Sequence, residues 1–204
     1  MMYNSSKSKI RGWKRRLKHI DSWFEDNKEP NFEAFNYYQE DYVKIRIDPW
    51  NRLCERNPPV WYSRIILSKL IKIYNHWDEE YKKLETPYDL QLWLNDPNFI
   101  RSEVVCAKVD KPSDQRNNYF RKSNKQIDFP LGKWNSRENN LKVFKFELFK
   151  DENFSFEKME SLNQEDIAEL LAEGYEKDTI TIDGKSENRY SQEVGNFWVG
   201  RKIN

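Results

Sequence analysis

Residues 58–83, PPVWYSRIILSKLIKIYNHWDEEYKK, constrain the fold more than any other part of the chain. After the leading proline pair the stretch contains no glycine or proline, and its apolar residues recur at helical spacing. Ile66, Leu70, Ile73 and Trp77 form one stripe, and Leu67, Ile71 and Tyr74 form a second beside it. Together they cover a wider apolar arc than a surface helix shows. The spacing predicts a central helix with Leu70 and Ile73 buried. Asn57 is its expected N-cap, and the prolines suit a first turn that needs no amide donors. The last residues turn charged, so the helix is expected to leave the core there.

The rest of the chain is read against that helix. Residues 7–25 predict an amphipathic helix, with Ile10, Trp13, Leu17, Ile20 and Phe24 inward and basic residues crowding the remaining surface. Gly12 is expected to weaken its first turn. A short helix carrying Phe32 and Phe35 is expected over 31–40. Residues 42–47, YVKIRI, alternate as a half-buried strand with Val43, Ile45 and Ile47 on one side. Thr86-Pro87-Tyr88-Asp89 reads as a helix start, followed by a short helix bearing Leu90, Trp93 and Leu94.

Beyond residue 100 the pattern shifts toward strand. Residues 102–109 predict a buried strand with Val105, Ala107 and Val109 on one face, residues 110–140 a long loop, and 141–149 another strand. Asn163, with Asp166 at the third position, caps an expected helix over 163–173. There Leu162 and Ile167 can form a staple, and Gly174 suits a left-handed stop. Asp183-Gly184 and Gly195-Asn196 then read as two hairpin turns of a meander. The expected fold class is therefore α+β: a mainly helical N-terminal half around one central helix, then an antiparallel sheet with one capped helix. A single domain over 1–204 is expected, divisible into a mainly helical part (1–100) and a mainly strand part (101–204). Strand 42–47 is the candidate to join the two.

Apolar residues make up 37% of the 204 and charged residues 34%, a ratio that leans toward disorder. The 8 Trp, 11 Tyr and 12 Phe outweigh it, because disordered chains lack aromatics. Cys54 and Cys106 are too few for a disulfide framework, and no apolar run approaches a membrane span. The expected setting is the cytoplasm, with no integral membrane association.

Chemistry is constrained mainly by what is missing. Gly12 is the sole glycine before residue 130, so neither a P-loop nor a dinucleotide fingerprint can form there; CxxC and GxSxG motifs are also absent. His76 and Glu80 share a helix face and could supply two metal ligands, without a third. His19 reads as part of a polar face. Cys54, beside Arg52, Glu55 and Arg56, is the more activatable cysteine, whereas Cys106 reads as a small core residue. Asp183-x-Lys185 resembles the carboxylate–lysine end of a metal-dependent nuclease core, with Glu176 and Asp178 as available second acids. Asp-Gly is also the commonest hairpin turn, which explains the pair without chemistry. No catalytic residue, metal ligand or cofactor is assigned.

Charge is the remaining signal. The net +1 hides an uneven distribution: residues 1–20 hold seven Lys or Arg and no acid, and residues 145–178 hold eleven acids against four Lys. Residues 116–125, RNNYFRKSNK, add four more positive charges around an aromatic pair. The candidate partner-binding residues are Lys14, Arg15, Arg16 and Lys18 on the helix, and Arg116, Tyr119, Phe120, Arg121 and Lys122 in the loop. The expected function is a non-catalytic binding protein, a regulator or neutraliser of another protein, that recognises a macromolecule through charged and aromatic surfaces. One alternative is a nucleic-acid-binding accessory factor using the same residues. Another is a hydrolytic or nuclease-like enzyme whose carboxylates the sequence does not assemble. Insertion of residues 7–25 at a membrane surface is disfavoured by the narrow apolar face. The basic arm is expected to meet either an external polyanion or the acidic segment.

Overall fold

The computed structural model describes residues 11–33, 42–47, 53, 58–84, 87–95, 99–108, 123, 125–155, 163–182 and 185–203. In chain order the elements are α1 (Trp13–Asn27), β1 (Tyr42–Arg46), α2 (Val60–Tyr81), β2 (Tyr88–Asn95), β3 (Glu103–Lys108), α3 (Leu131–Trp134), a 3-10 turn (Leu141–Val143), β4 (Phe144–Ser155), α4 (Gln164–Ala172), β5 (Glu176–Ile182) and β6 (Lys185–Lys202). The fold is α+β.

α2 is the central helix. Ile66, Leu67, Leu70, Ile71, Ile73, Tyr74 and Trp77 are all buried, along with Tyr62 and Tyr81 at its two ends. Its cap position is Pro59, and Asn57, the expected cap, lies outside the described residues. Pro59 is extended (φ −60°, ψ 145°), and its carbonyl accepts the amides of Tyr62 and Ser63. A proline serves there because it fixes φ and lacks the N–H that would otherwise need a partner.

The strands are all antiparallel, in the order β1-β3-β2-β6-β4. β5 pairs with the first part of β6, on the same edge that β2 takes further along. One sheet thus carries strands from both halves of the chain, and β1 joins it through β3. Alternation assigns the two faces. Val43, Leu90, Leu92, Leu94, Val104, Cys106, Phe144, Leu148 and Trp198 share the core with α2. Trp93, Val105, Phe197 and Val199 form a smaller cluster on the other face, with Tyr42 and Phe149 against it. α1 packs on α2 through Ile20 and Trp23, and Asp21 pairs with Lys69 at 2.7 Å.

Two expectations are overturned. Residues 88–95 form a strand, not a short helix. Leu90, Leu92 and Leu94 face α2 while Trp93 faces away, and burial on both sides makes Leu90, Trp93 and Leu94 mimic a helical stripe. A short apolar run is ambiguous in periodicity, and pairing to β3 and β6 decides it. Gly195-Asn196 is likewise no turn: β6 runs through both residues to Lys202. The register against β4 slips there, with Asp151 opposite Gly195 and Glu152 opposite Glu193, so Val194 is the extra residue of a bulge. Glycine inside a strand marks bulges as well as turns.

Smaller differences follow the same logic. The α1 helix starts at Trp13, with Gly12 left-handed (φ 70°) at the cap position rather than inside the first turn. β3 is buried on both faces, and Val109 lies outside the described residues. The loop expected over 110–140 contains α3, whose Trp134 packs at 4.8 Å on Phe99. Phe99 and Arg101 hold φ of 58° and 66°, strained for side-chain-bearing residues. Complete burial of Phe99 and the Arg101 N–H to Ile47 carbonyl bond (2.8 Å) hold that turn in place. The strand expected to begin at 141 starts at Phe144, after the 3-10 turn.

The helix at 163 is capped as expected. The Asn163 side chain accepts the amides of Glu165 and Asp166, the Asn163 amide donates to the Asp166 carboxylate, and Gly174 is left-handed (φ 89°). Leu162, Thr86 and most of the expected helix over 31–40 lie outside the described residues. At the β5–β6 hairpin Ile182 stands opposite Lys185, and Asp183 and Gly184 are themselves outside the described residues.

Candidate partner-binding face

The solvent side of α1 follows directly from its sequence. Ile20 and Trp23 turn toward α2 with Leu17 and Phe24 beside them, which leaves Lys14, Arg15 and Lys18 on the opposite side, and Arg11 is exposed just ahead of the helix. Lys14, Arg15 and Lys18 are related by steps of three and four residues, so they make one stripe on the helix, with Arg11 ahead of it beyond Gly12. All four are exposed, and among the described residues none has an ion-pair partner. No described side chain of the acidic segment 145–178 pairs with them.

This end of α1 is built against its own stability. Its first turn contains no acid, the cap position offers no side-chain bond, and Lys14, Arg15 and Arg16 sit at the positive end of the helix dipole. Like charges three and four residues apart repel further. The acids come later, where Asp21 meets Lys69 and Glu25 meets Lys28 at 2.6 Å. Local choices that oppose the fold concentrate at functional sites.

The other candidate residues stand apart from the stripe. Arg16 is half-buried on the flank of the helix and engaged within the chain, as is the exposed His19. Trp13 continues the inward apolar line past the end of the core, so it is 45% exposed, with Lys14 Nζ 5.8 Å from its ring centroid. Arg116, Tyr119, Phe120, Arg121 and Lys122 lie outside the described residues. The far end of their loop is anchored, because the Ser123 amide donates to the Leu148 carbonyl of β4 at 2.8 Å.

His76 and Glu80, the pair weighed as metal ligands and not assigned as such, each face another side chain. His76 Nε2 lies 2.9 Å from Glu29, and Glu80 pairs with Lys83. Among the described residues no three His, Cys, Asp or Glu side chains are placed to hold a metal ion. Cys106 is a buried core side chain whose thiol pKa burial pushes up, so it stays protonated. Cys54 and Asp183 lie outside the described residues. No described helix is long and apolar enough to cross a membrane.

One charged constellation has no trace in local sequence. A cleft of about 400 Å³ opens between the end of α2, the start of β2 and the end of β6. Asp89 accepts a two-pronged bond from Arg201 (2.9 and 2.9 Å) and one from Gln91, and Gln91 in turn accepts from Trp93 Nε1. Asp78 pairs with Lys82 and Lys202 at 2.7 and 2.9 Å. Tyr74 donates to the Leu90 carbonyl, and Tyr88 to that of Asp78. Burial, reinforced by the nearby Asp78 carboxylate, pushes the tyrosines up to about 12. For both aspartates burial works upward too, but the hydrogen bonds from Arg201 and Gln91, and from Lys82 and Lys202, outweigh it and hold the carboxyls below their usual range.

Every charge in this cleft is answered inside the chain, so it acts as a clamp between the C-terminal strand and α2. The sign of its pH dependence follows. Carboxyls with lowered folded-state pKa values contribute stability that is complete above the unfolded value of about 4 and is lost as pH falls through the folded values. Chemical denaturation from pH 7 down to pH 2 is expected to show this loss, and Asp89→Asn is expected to reduce its slope. An unchanged slope in that variant would remove Asp89 from the acid response. Compared with known proteins, the chain matches no family model, and no curated protein or solved structure resembles it significantly.

Proposed function

We propose that the protein is a non-catalytic binding protein that recognises the acidic surface of another protein through the α1 stripe. One observation carries the reading. Arg11, Lys14, Arg15 and Lys18 are exposed and, among the described residues, without ion pairs, and Lys14, Arg15 and Lys18 crowd a helix end that they destabilise. An acidic partner surface neutralises that repulsion on binding, and such complementarity sets encounter rate and partner choice more than affinity. The exposed Trp13 ring beside Lys14 favours a second reading, single-stranded nucleic acid, in which the ring offers a stacking surface and the cations meet phosphates.

The two are separated by titrating labelled poly-glutamate and labelled single- and double-stranded oligonucleotides at low and moderate salt. Poly-glutamate is expected to bind at low salt, and Lys14→Glu, Arg15→Glu and Lys18→Glu together are expected to abolish the binding without altering the helix content. Preference for an oligonucleotide, with a log–log salt slope that drops by roughly one unit for each phosphate contact removed, would transfer the stripe to nucleic acid. Wild type that binds none of these probes at low salt would end both readings.

A further inference from the structure

β4 is an edge strand of the sheet, and its outer side carries a groove of about 560 Å³. One wall is the β4 backbone from Lys145 to Leu148, and the other is the irregular segment 125–128. That segment is held at both ends. The Ser123 amide donates to the Leu148 carbonyl at 2.8 Å, and the Phe129 ring stacks on Phe146 with centroids 4.1 Å apart and planes 15° apart. Between these anchors it stands off the strand.

The register fixes which main-chain groups face the groove. The Ile203 amide bonds to the Val143 carbonyl, so Val143 turns its main-chain groups toward β6, as do Lys145 and Glu147 at steps of two. Phe144, Phe146 and Leu148 turn theirs outward, in agreement with the Ser123 bond to Leu148. The N–H and C=O of Phe146 therefore point into the groove, where no described backbone group meets them. An edge strand with open main-chain groups is a template for another strand. Here the segment 125–128 keeps a gap beside that template.

We infer that the groove between β4 and residues 125–128 binds an extended peptide of a protein partner, added to the sheet edge through the Phe146 N–H and C=O. Main-chain bonding of this kind supplies affinity, and side-chain contacts along the groove supply selectivity. Lys125 and Lys145 balance Asp128 and Glu147 along the walls, which suits a peptide without strong net charge, unlike the ligand of the α1 stripe. Ile127, 53% exposed, offers the apolar contact, so the peptide carries an apolar residue opposite it.

The test starts with amide hydrogen exchange in the free full-length protein, where the Phe146 amide is expected to exchange much faster than those of Lys145 and Glu147. A displayed library of random seven-residue peptides is then panned on the same protein. Selected peptides are expected to protect the Phe146 amide, by about 100-fold at a free concentration ~100 times their Kd. N-methylation of alternate peptide amides should abolish binding, and the Lys14→Glu, Arg15→Glu, Lys18→Glu variant should bind as wild type does. A Phe146 amide already as slow as its neighbours overturns the proposal. So does a selection that yields no peptide protecting it, or peptides lost with the α1 charges. Protection that rises with protein concentration alone would make a second copy the occupant and overturn the peptide assignment.

Discussion

Leu70→Ala is expected to lower the unfolding free energy by about 2–5 kcal/mol, the largest effect of any single substitution considered for this chain. Leu70 is fully buried in the middle of α2, in the same cluster as Leu92, Val104 and Trp198 of the sheet. Truncation removes the buried methyl groups and leaves a cavity between two rigid layers, where the surroundings relax only in part. Urea denaturation followed by tryptophan fluorescence measures the loss directly. Stability unchanged to within a few tenths of a kcal/mol would mean that α2 does not organise the core.

Gly200→Ala is expected to cost about 1–3 kcal/mol through the opposite mechanism, overpacking. Gly200 stands opposite Phe146 in the β4–β6 register, and the Phe146 ring lies over it. An added methyl carbon would sit 2.5 Å from Cε1 and 2.9 Å from Cδ1 of that ring. The ring has little room to withdraw, because Phe129 stacks on it and Phe144 packs at 5.9 Å. Some of the strain is expected to pass to residues 125–128 through Phe129, so exchange at the Ser123 amide should rise along with the global loss. Phe146→Leu, with a smaller side chain over the same position, should restore part of the stability to the Gly200→Ala protein. A Gly200→Ala protein as stable as wild type would show that the ring moves aside at no cost.

The two substitutions test features of different visibility. The burial of Leu70 is readable from the spacing of apolar residues in one segment. The close approach at Gly200 depends on a strand 54 positions earlier in the chain. Its glycine, in FWVG, carries no turn signal and no left-handed φ, and the reason for it is a ring that only the sheet brings there.

Wherever structure is decided by neighbours within a few residues, the sequence alone was sufficient. The wide apolar arc of 58–83 determined α2, because a helix with that arc must be covered on most sides. Asn163, Asp166 and Gly174 determined the limits of α4, because capping bonds close within one turn. Alternation in 42–47 determined β1, and the run of cations from Arg11 to Lys18 determined the face proposed to bind a partner. Only the tertiary structure decided what depends on distant partners. Residues 88–95 are a strand because β3 and β6 claim their backbone, and β6 passes through Gly195-Asn196 because β4 runs alongside. Asp89 and Arg201 meet across 112 positions, and the groove at β4 exists because Ser123 and Phe129 tie a loop to a sheet edge. Local propensities are small and nearly balanced in such segments, so the pairing and burial gained at long range outweigh them.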